Sequence, residues 1–502
     1  MLIILLLIFI IVFLLNKGII VVSLKLFNLN FFRDLELVLN IWRFIFLIIV
    51  LLITIRVLFF SFSYISVYSV QRFMLLYLLF VLRIFWLILN NNFYWIIFGW
   101  DGSGVVSFLL IVFYINYERV TNGLFTLFQN RLGDLFFVIF MLFIFTTSLN
   151  SNIVLKSGLL VLILGACVKR AQFPFNAWLL AAIRAPTPIS SLVHSSTLVV
   201  AGVYILLQYS YCLIERLNIL KYLRVLTLIV RLFGLINEFD IKKLIAYSTI
   251  RHVGLMLFLI RIQLYKITFF HLVVHAMFKS LIFICFGFTI LRSFHRQDKR
   301  LVSYISLSPV IKIFYYYACF CLIGLPFLRG FFSKDFIIEK AMEINFEIRN
   351  IFLLLLFLSV RIYYSIKLLS LYNSIYVLNI VELQVSGITG LLIIVIVSVR
   401  IINVFIRIVF RVSLELISYK IMIYLFILGF LILRVLTKLN FKWGIYRKWL
   451  NIVELWFYNW YALDQFIYST MLSVLEYTVS LSNVKYILLI NWWVMVLVII
   501  IF

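Results

Sequence analysis

Charge is the scarcest commodity in this chain. Only 12% of its 502 residues are Asp, Glu, Lys or Arg, 66% are hydrophobic, and mean hydropathy is +1.19. A soluble domain carries about a quarter charged residues, so a water-soluble fold is excluded. Proline (5) and glycine (18) are also sparse. Length alone would suggest about three domains, yet no stretch is polar enough to form a soluble module or a flexible linker. The five cysteines, Cys167, Cys212, Cys285, Cys319 and Cys321, lack a CxxC pair or a Cys/His metal spacing. They support neither a zinc nor an iron–sulfur site and read as small buried apolar residues. The opening run Met1 to Leu15 has no basic start and no small-residue cleavage site, so it reads as a first membrane helix and not as a removable signal.

What the chain does have is long apolar runs. A helix needs about 20 such residues to cross a bilayer, and the sequence accommodates about 14 to 16 spans. Candidates are Phe44 to Phe62, Phe73 to Leu89, Trp95 to Tyr114, Leu135 to Thr147, Leu159 to Val168, Ile189 to Leu207, Tyr222 to Leu235 and Leu244 to Ile260. Phe269 to Leu291, Pro309 to Phe327, Phe352 to Ile366, Ile388 to Val404, Ile421 to Leu436 and Tyr486 to Phe502 follow. The runs are too long and continuous for a β-barrel. The fold class expected is an all-α polytopic membrane bundle.

Two segments interrupt the pattern. Pro174 to Pro188 holds three of the prolines, and Gly324 to Gly330 holds Pro326 between two glycines. Broken helices at membrane depth need protein or a hydrated cavity to satisfy their freed backbone groups, and a pair of them points to a transport site between repeats. The stretch Lys438 to Lys485, with Trp443, Trp449, Trp456 and Trp460, suits an amphipathic helix along the membrane surface, roughly 70 Å long if fully helical. The expected organisation is membrane helices over 1–90, a core over 91–372, further helices over 373–437, a lateral helix over 438–484 and an anchor over 485–502.

Ionisable residues inside spans cost about 2.5 to 3.5 kcal/mol each and are candidates for function. His271, His275 and Lys279 occur at i, i+4 and i+8 in HLVVHAMFKS, along one helical face. Such a row can pass protons, or be two core histidines and an interfacial lysine. Lys169 ends an apolar run before the first break and His194 begins the next run after it; a lysine at a span end can also be a snorkelling anchor. Asp101, among Gly99, Gly102 and Gly104, is an N-cap or a buried acid wanting a cation, and the NRLGD run offers Arg131 alongside Asp134. Lys334 and Asp335 follow the second break. Lys242 and Lys243 sit beside Glu238 and Asp240, either as a charged loop or as the start of a lysine-bearing helix.

In order along the chain, FGWDGSGVVSF, NRLGD, VKRAQFPFNAWLLAAIRAPTPISSLVHSSTLVVAGVY, FDIKKLIAYST, HLVVHAMFKSLIF and GLPFLRGFFSKD resemble the antiporter-like chain 5 subunits of mitochondrial NADH:ubiquinone oxidoreductase (respiratory complex I), which are related to Mrp-type antiporters. The resemblance covers roughly Phe60 to Glu339. It implies two inverted five-helix repeats with broken helices and a long lateral helix. It implies a proton-pumping subunit of the membrane arm in the mitochondrial inner membrane, with no redox centre: FMN, iron–sulfur clusters and ubiquinone belong to other subunits. Partners implied are the other membrane-arm subunits, especially the antiporter-like chain 4, accessory subunits, and lipids such as cardiolipin, with no nucleic acid. In the family a carboxylate of the GW(E/D)G motif pairs with the lysine before the AQ-P segment, here Asp101 and Lys169. The central and exit residues fall on His194, Lys242, His271, His275, Lys279, Lys334 and Asp335, and Arg131 and Asp134 match the NR-GD run. Many members carry Glu where this chain has Asp101. An Mrp-type cation/proton antiporter and a structural subunit transmitting strain without passing protons are the rival readings.

The net charge of +26, from 44 Lys plus Arg against 18 Asp plus Glu, would ordinarily suggest an anionic partner, but the basic residues are scattered through apolar runs. Phe (53) and Tyr (28) are abundant, as in the AT-rich coding of small organellar genomes. Arg83, Arg170, Arg251 and Arg361 stand where the family usually has a small or hydroxyl residue. Some invertebrate mitochondrial codes read AGA and AGG as serine, so part of this arginine set is expected to be serine in the natural chain.

Overall fold

The computed structural model describes residues 20–24, 35–146, 152–172, 175–209, 240–293 and 309–324, with single positions at 227, 238, 297, 298, 330, 333, 337, 364, 365 and 368. The chain divides into two compact units, Met1–Asn440 and Phe441–Phe502. The runs expected at Met1 to Leu15, Tyr222 to Leu235, Phe352 to Ile366, Ile388 to Val404, Ile421 to Leu436 and Tyr486 to Phe502, and the surface stretch Lys438 to Lys485, lie outside the described residues or nearly so.

The described elements are α1 (Ile41–Tyr64), α2 (Val67–Leu89), α3 (Phe93–Ile111), α4 (Tyr117–Thr146) and α5 (Asn152–Lys169). After the break come α6 (Ala177–Ala182) and α7 (Thr187–Gln208), then α8 (Ile241–Arg261), α9 (Tyr265–Arg292) and α10 (Pro309–Ile323). Six of these are long and apolar enough to cross a membrane, among the described residues: α1, α2, α4, α7, α8 and α9. The all-helical membrane fold is as expected, with one short addition near the N-terminus. Strands β1 (Ile20–Leu24) and β2 (Leu35–Leu39) form an antiparallel pair in which Ile20 faces Leu39. IVVSL and LELVL are too short to span, and their Ile, Val and Leu content suits a pleated pair.

Burial sorts the helices into centre and periphery. The apolar windows of α7 and α9 are 100% buried and that of α8 is 94% buried, against 44% for α2 and 33% for α4. A helix apolar all round belongs inside. The outer pair instead presents Leu75, Leu82, Leu135, Val138 and Leu142 on the outside. Lipid is as apolar as a leucine side chain, so close packing and small residues hold such helices together. The ring of Phe60 on α1 lies over Gly287 on α9. At α4 and α5, a Cβ on Gly165 would stand 3.2 Å from the carbonyl oxygen of Gly133, a tight contact that glycine avoids. The cysteines behave as expected: Cys167, Cys285, Cys319 and Cys321 are buried thiols outside any disulfide.

The first break is built as its prolines require. Helix α5 ends in a Schellman turn, with the Ala171 amide on the Val168 carbonyl and the Gln172 amide on the Cys167 carbonyl, both 3.1 Å. Ala171 takes the left-handed φ of 51° that glycine usually supplies. Trp178 Nε1 donates to the Val168 carbonyl at 2.8 Å, so the chain beyond the turn is clamped back onto the end of α5. Helix α7 begins beside Pro186 and Pro188 and is π-helical over Ser190–Thr197 before resuming as α-helix at Leu198. At the second break Gly324 takes φ 75° and ends α10.

Candidate functional site

The end of α5 delivers Lys169 into a ladder of charges on three consecutive helices. Asp101 of α3 is ion-paired with Arg131 of α4. Arg131 Nη1 lies 3.6 Å from Asp134 Oδ2, one turn further along α4, and Asp134 Oδ1 lies 3.2 Å from Lys169 Nζ. The order is acid, base, acid, base. Asp101 and Arg131 are each about two-fifths exposed, at 38% and 41%, Asp134 is 13% exposed and Lys169 only 2%, so the ladder runs from accessible to enclosed. Lys169 Nζ donates to the Trp100 carbonyl at 3.3 Å and sits 5.1 Å from the centre of the Trp100 ring. A Cβ on Gly104 would stand 3.2 Å from that ammonium.

This ladder differs from the expected pairing of Asp101 with Lys169. The recorded ion-pair partner of Lys169 is Asp134, and that of Asp101 is Arg131. Asp101 and Trp100 are adjacent on α3, yet it is the Trp100 carbonyl that reaches Lys169, while the short Asp101 side chain meets Arg131.

The adjacent lysines of α8 have opposite fates. Lys243 faces acids, 3.1 Å from Asp240 and 3.7 Å from Glu238. Lys242 is buried, and its Nζ donates to the Ala185 carbonyl at 3.0 Å. The Ile189 amide, which would serve Ala185 in an unbroken helix, bonds to Pro186 instead at 3.0 Å. A lysine thus satisfies a carbonyl that the proline break releases.

Further along, α9 buries His271, His275 and Lys279 together. Lys279 Nζ bonds to Ser248 Oγ of α8 and lies 5.4 Å from the centre of the Tyr364 ring. His271 makes two contacts: its Nε2 is 3.3 Å from His252 Nδ1, and its Nδ1 is 3.3 Å from Ser333 Oγ. His252 was not singled out in the sequence. It lies four residues after Ser248 on the same face of α8, but its partner is on another helix, so the sequence held no signal for it. His194 falls within the π-helical stretch of α7, and Lys334 and Asp335 lie outside the described residues.

Arginine is buried here as well. Arg170 is fully enclosed, donates to the Gly202 carbonyl, and leaves Nε and Nη1 without a hydrogen-bond partner. Arg251 is equally enclosed, 5.6 Å from the Tyr364 ring, and Arg83 lies 4.2 Å from the centre of the Phe98 ring. Arg361 is outside the described residues.

Residues 90–362 match the family model described as "NADH:quinone oxidoreductase/Mrp antiporter, TM". The chain belongs to this family. Within the NADH:quinone oxidoreductase/Mrp antiporter family it is a chain 5-like subunit. It is 39% identical over 340 residues to NADH-ubiquinone oxidoreductase chain 5 of Aedes aegypti, covering 64% of this chain and 58% of that one. It is 39% identical over 324 residues to the Anopheles arabiensis chain 5, covering 61% of this chain and 84% of that one. The chain therefore spans somewhat under two thirds of the length of the mosquito Aedes relative. An Mrp complex structure from Dietzia sp. superposes with TM-score 0.72 at 20% identity over 95% of this chain and 59% of that one, which shows the shared antiporter-like membrane fold.

Proposed function

We propose that this chain is a proton-translocating membrane-arm subunit of respiratory complex I in the mitochondrial inner membrane. In this reading, proton movement is driven by NADH oxidation and ubiquinone reduction on other subunits, which also hold the FMN and iron–sulfur clusters. The observation that carries it is the ladder Asp101, Arg131, Asp134, Lys169 across α3, α4 and α5. An acid placed between two cations can be shared. When Arg131 turns fully to Asp101, Asp134 is left to hold the Lys169 proton; when Arg131 turns to Asp134, that acid is neutralised from the other side and Lys169 releases its proton more readily. Lys242 and His194 would take it from the first break towards His275, Lys279 and His271, with Lys334 and Asp335 at the exit. The partners are then the neighbouring membrane-arm subunits, chain 4 foremost, with accessory subunits and inner-membrane lipids such as cardiolipin.

The relatives' chain 5 identity supports this over a free-standing Mrp-type antiporter. The test is the proton-to-electron ratio of reconstituted complex carrying Lys279→Met. A lower ratio in fully assembled complex is expected. An unchanged ratio in both Lys279→Met and Lys169→Met would favour the structural subunit that only transmits strain, and cation-driven transport by the chain without redox subunits would favour the antiporter.

A further inference from the structure

The histidine row of α9 is not a row of touching groups. The ring centres of His271 and His275 are 6.4 Å apart, whereas His252 of α8 stands 5.4 Å from the first and 5.1 Å from the second. His252 therefore occupies the corner of a triangle whose long side is the α9 row. Helices α8 and α9 are cross-linked at two levels, Ser248 with Lys279 and His252 with His271. The bonded partners on α8 are four residues apart and those on α9 eight apart, and His275, midway between the two α9 partners, lies on the same face of α9 between the two links.

The hydrogen-bond partners also give this corner a direction. Arg251 Nη2, which can only donate, lies 3.5 Å from His252 Nε2. Neutral His252 then accepts at Nε2 and carries its proton on Nδ1, where it donates to His271 Nε2 at 3.3 Å. His271 in turn carries its proton on Nδ1 and donates to Ser333 Oγ at 3.3 Å, and Ser333 donates to the Gly330 carbonyl at 3.4 Å. Every link points the same way, from α8 towards the segment that holds Lys334 and Asp335.

We propose that His252 is a proton-carrying residue that turns the path from His275 to His271 and so towards the second break. This rests on the proton-translocating reading above. The step balances as one proton in and one out. His252 takes a proton at Nε2 from the His275 side and becomes an imidazolium. Its Nδ1 proton then passes to His271 Nε2, and His271 becomes the imidazolium that holds the proton at the end of the step. His252 is left with its proton on Nε2, and a half-turn of the ring about Cβ–Cγ restores the starting Nδ1–H form before the next proton arrives.

The test is made in the whole assembled complex, with His252→Gln, His252→Asn and Lys279→Met compared by proton-to-electron ratio and by the amount of assembled complex. A ratio is read so that a merely slower enzyme does not imitate uncoupling. An amide can donate and accept a hydrogen bond but takes up no proton, so His252→Gln and His252→Asn are expected to lose the same step in the ratio as Lys279→Met. If either amide variant keeps the wild-type ratio while Lys279→Met lowers it, His252 only positions its neighbours and the proposal is overturned. Failure of both amide variants to assemble would mark a packing residue and overturn it equally. If Lys279→Met and Lys169→Met both leave the ratio unchanged as well, the translocation reading itself has failed.

Discussion

The ladder on α3–α5 and the cluster on α8–α9 solve the problem of ionisable groups at membrane depth in opposite ways. In the ladder every cation faces a carboxylate, and the four groups are graded from two-fifths exposed at Asp101 to enclosed at Lys169. Around Lys242 and Lys279 no carboxylate contact exists among the described residues; their partners are a carbonyl and a serine hydroxyl. A ladder of pairs holds its protons by charge balance and changes when a pair is exchanged. A cluster without counter-charges holds few added protons and favours passing them on, because each would bear the cost of an unpaired ion. On the proposed proton-translocating reading, the first region would serve control and the second conduction.

Removing the acid that Lys169 depends on is the sharpest way to break this contrast. Asp134→Asn leaves an enclosed ammonium without its ion pair, and breaking such a pair costs about 3–5 kcal/mol. A marked fall in assembled complex is expected on native electrophoresis, together with lost pumping. Next in size, Arg170→Ser removes an enclosed guanidinium that has no acid partner among the described residues, and stability is expected to rise by about 2.5–3.5 kcal/mol, read as a higher midpoint of thermal inactivation. If peptide mass spectrometry of the natural chain already finds serine at position 170, the ladder's neighbourhood holds one cation fewer than the translated sequence suggests. Gly165→Ala pushes α4 against α5 at the Gly133 carbonyl and is expected to cost about 1–3 kcal/mol, read as a lower midpoint of thermal inactivation. The smallest effect belongs to Asp101→Asn. Its pair with Arg131 is partly exposed, so the stability loss is expected to stay within about 1 kcal/mol, and a loss as large as that of Asp134→Asn would erase the gradient along the ladder.

The central helices were legible from the sequence because their apolar runs are long: α8 and α9 start within a turn of the expected Leu244 and Phe269 and end within a residue of the expected Ile260 and Leu291. Helix α4 was not. It begins at Tyr117, far before the apolar run at Leu135, because hydropathy reads Asn130, Arg131 and Asp134 as an interruption although the ladder satisfies the two charged ones within the helix. The sequence named the four residues that meet in the ladder, but which acid meets which base depends on how α3, α4 and α5 are rotated, and spacing along one helix carries no such information. His252 stayed hidden for the same reason: its partner is on another helix. The paired strands near the N-terminus went unread because five-residue apolar segments look alike whether they belong to a strand or to a helix.

The π-helical stretch Ser190–Thr197 holds one residue more than α-helical winding of the same length would. Expelling that residue would act as a screw, turning the flanking part of α7 by about 100° and shifting it by about 1.5 Å. His194 lies on the thread of that screw. The centre of this molecule thus contains a piece of backbone that can exchange axial travel for rotation without unfolding a turn.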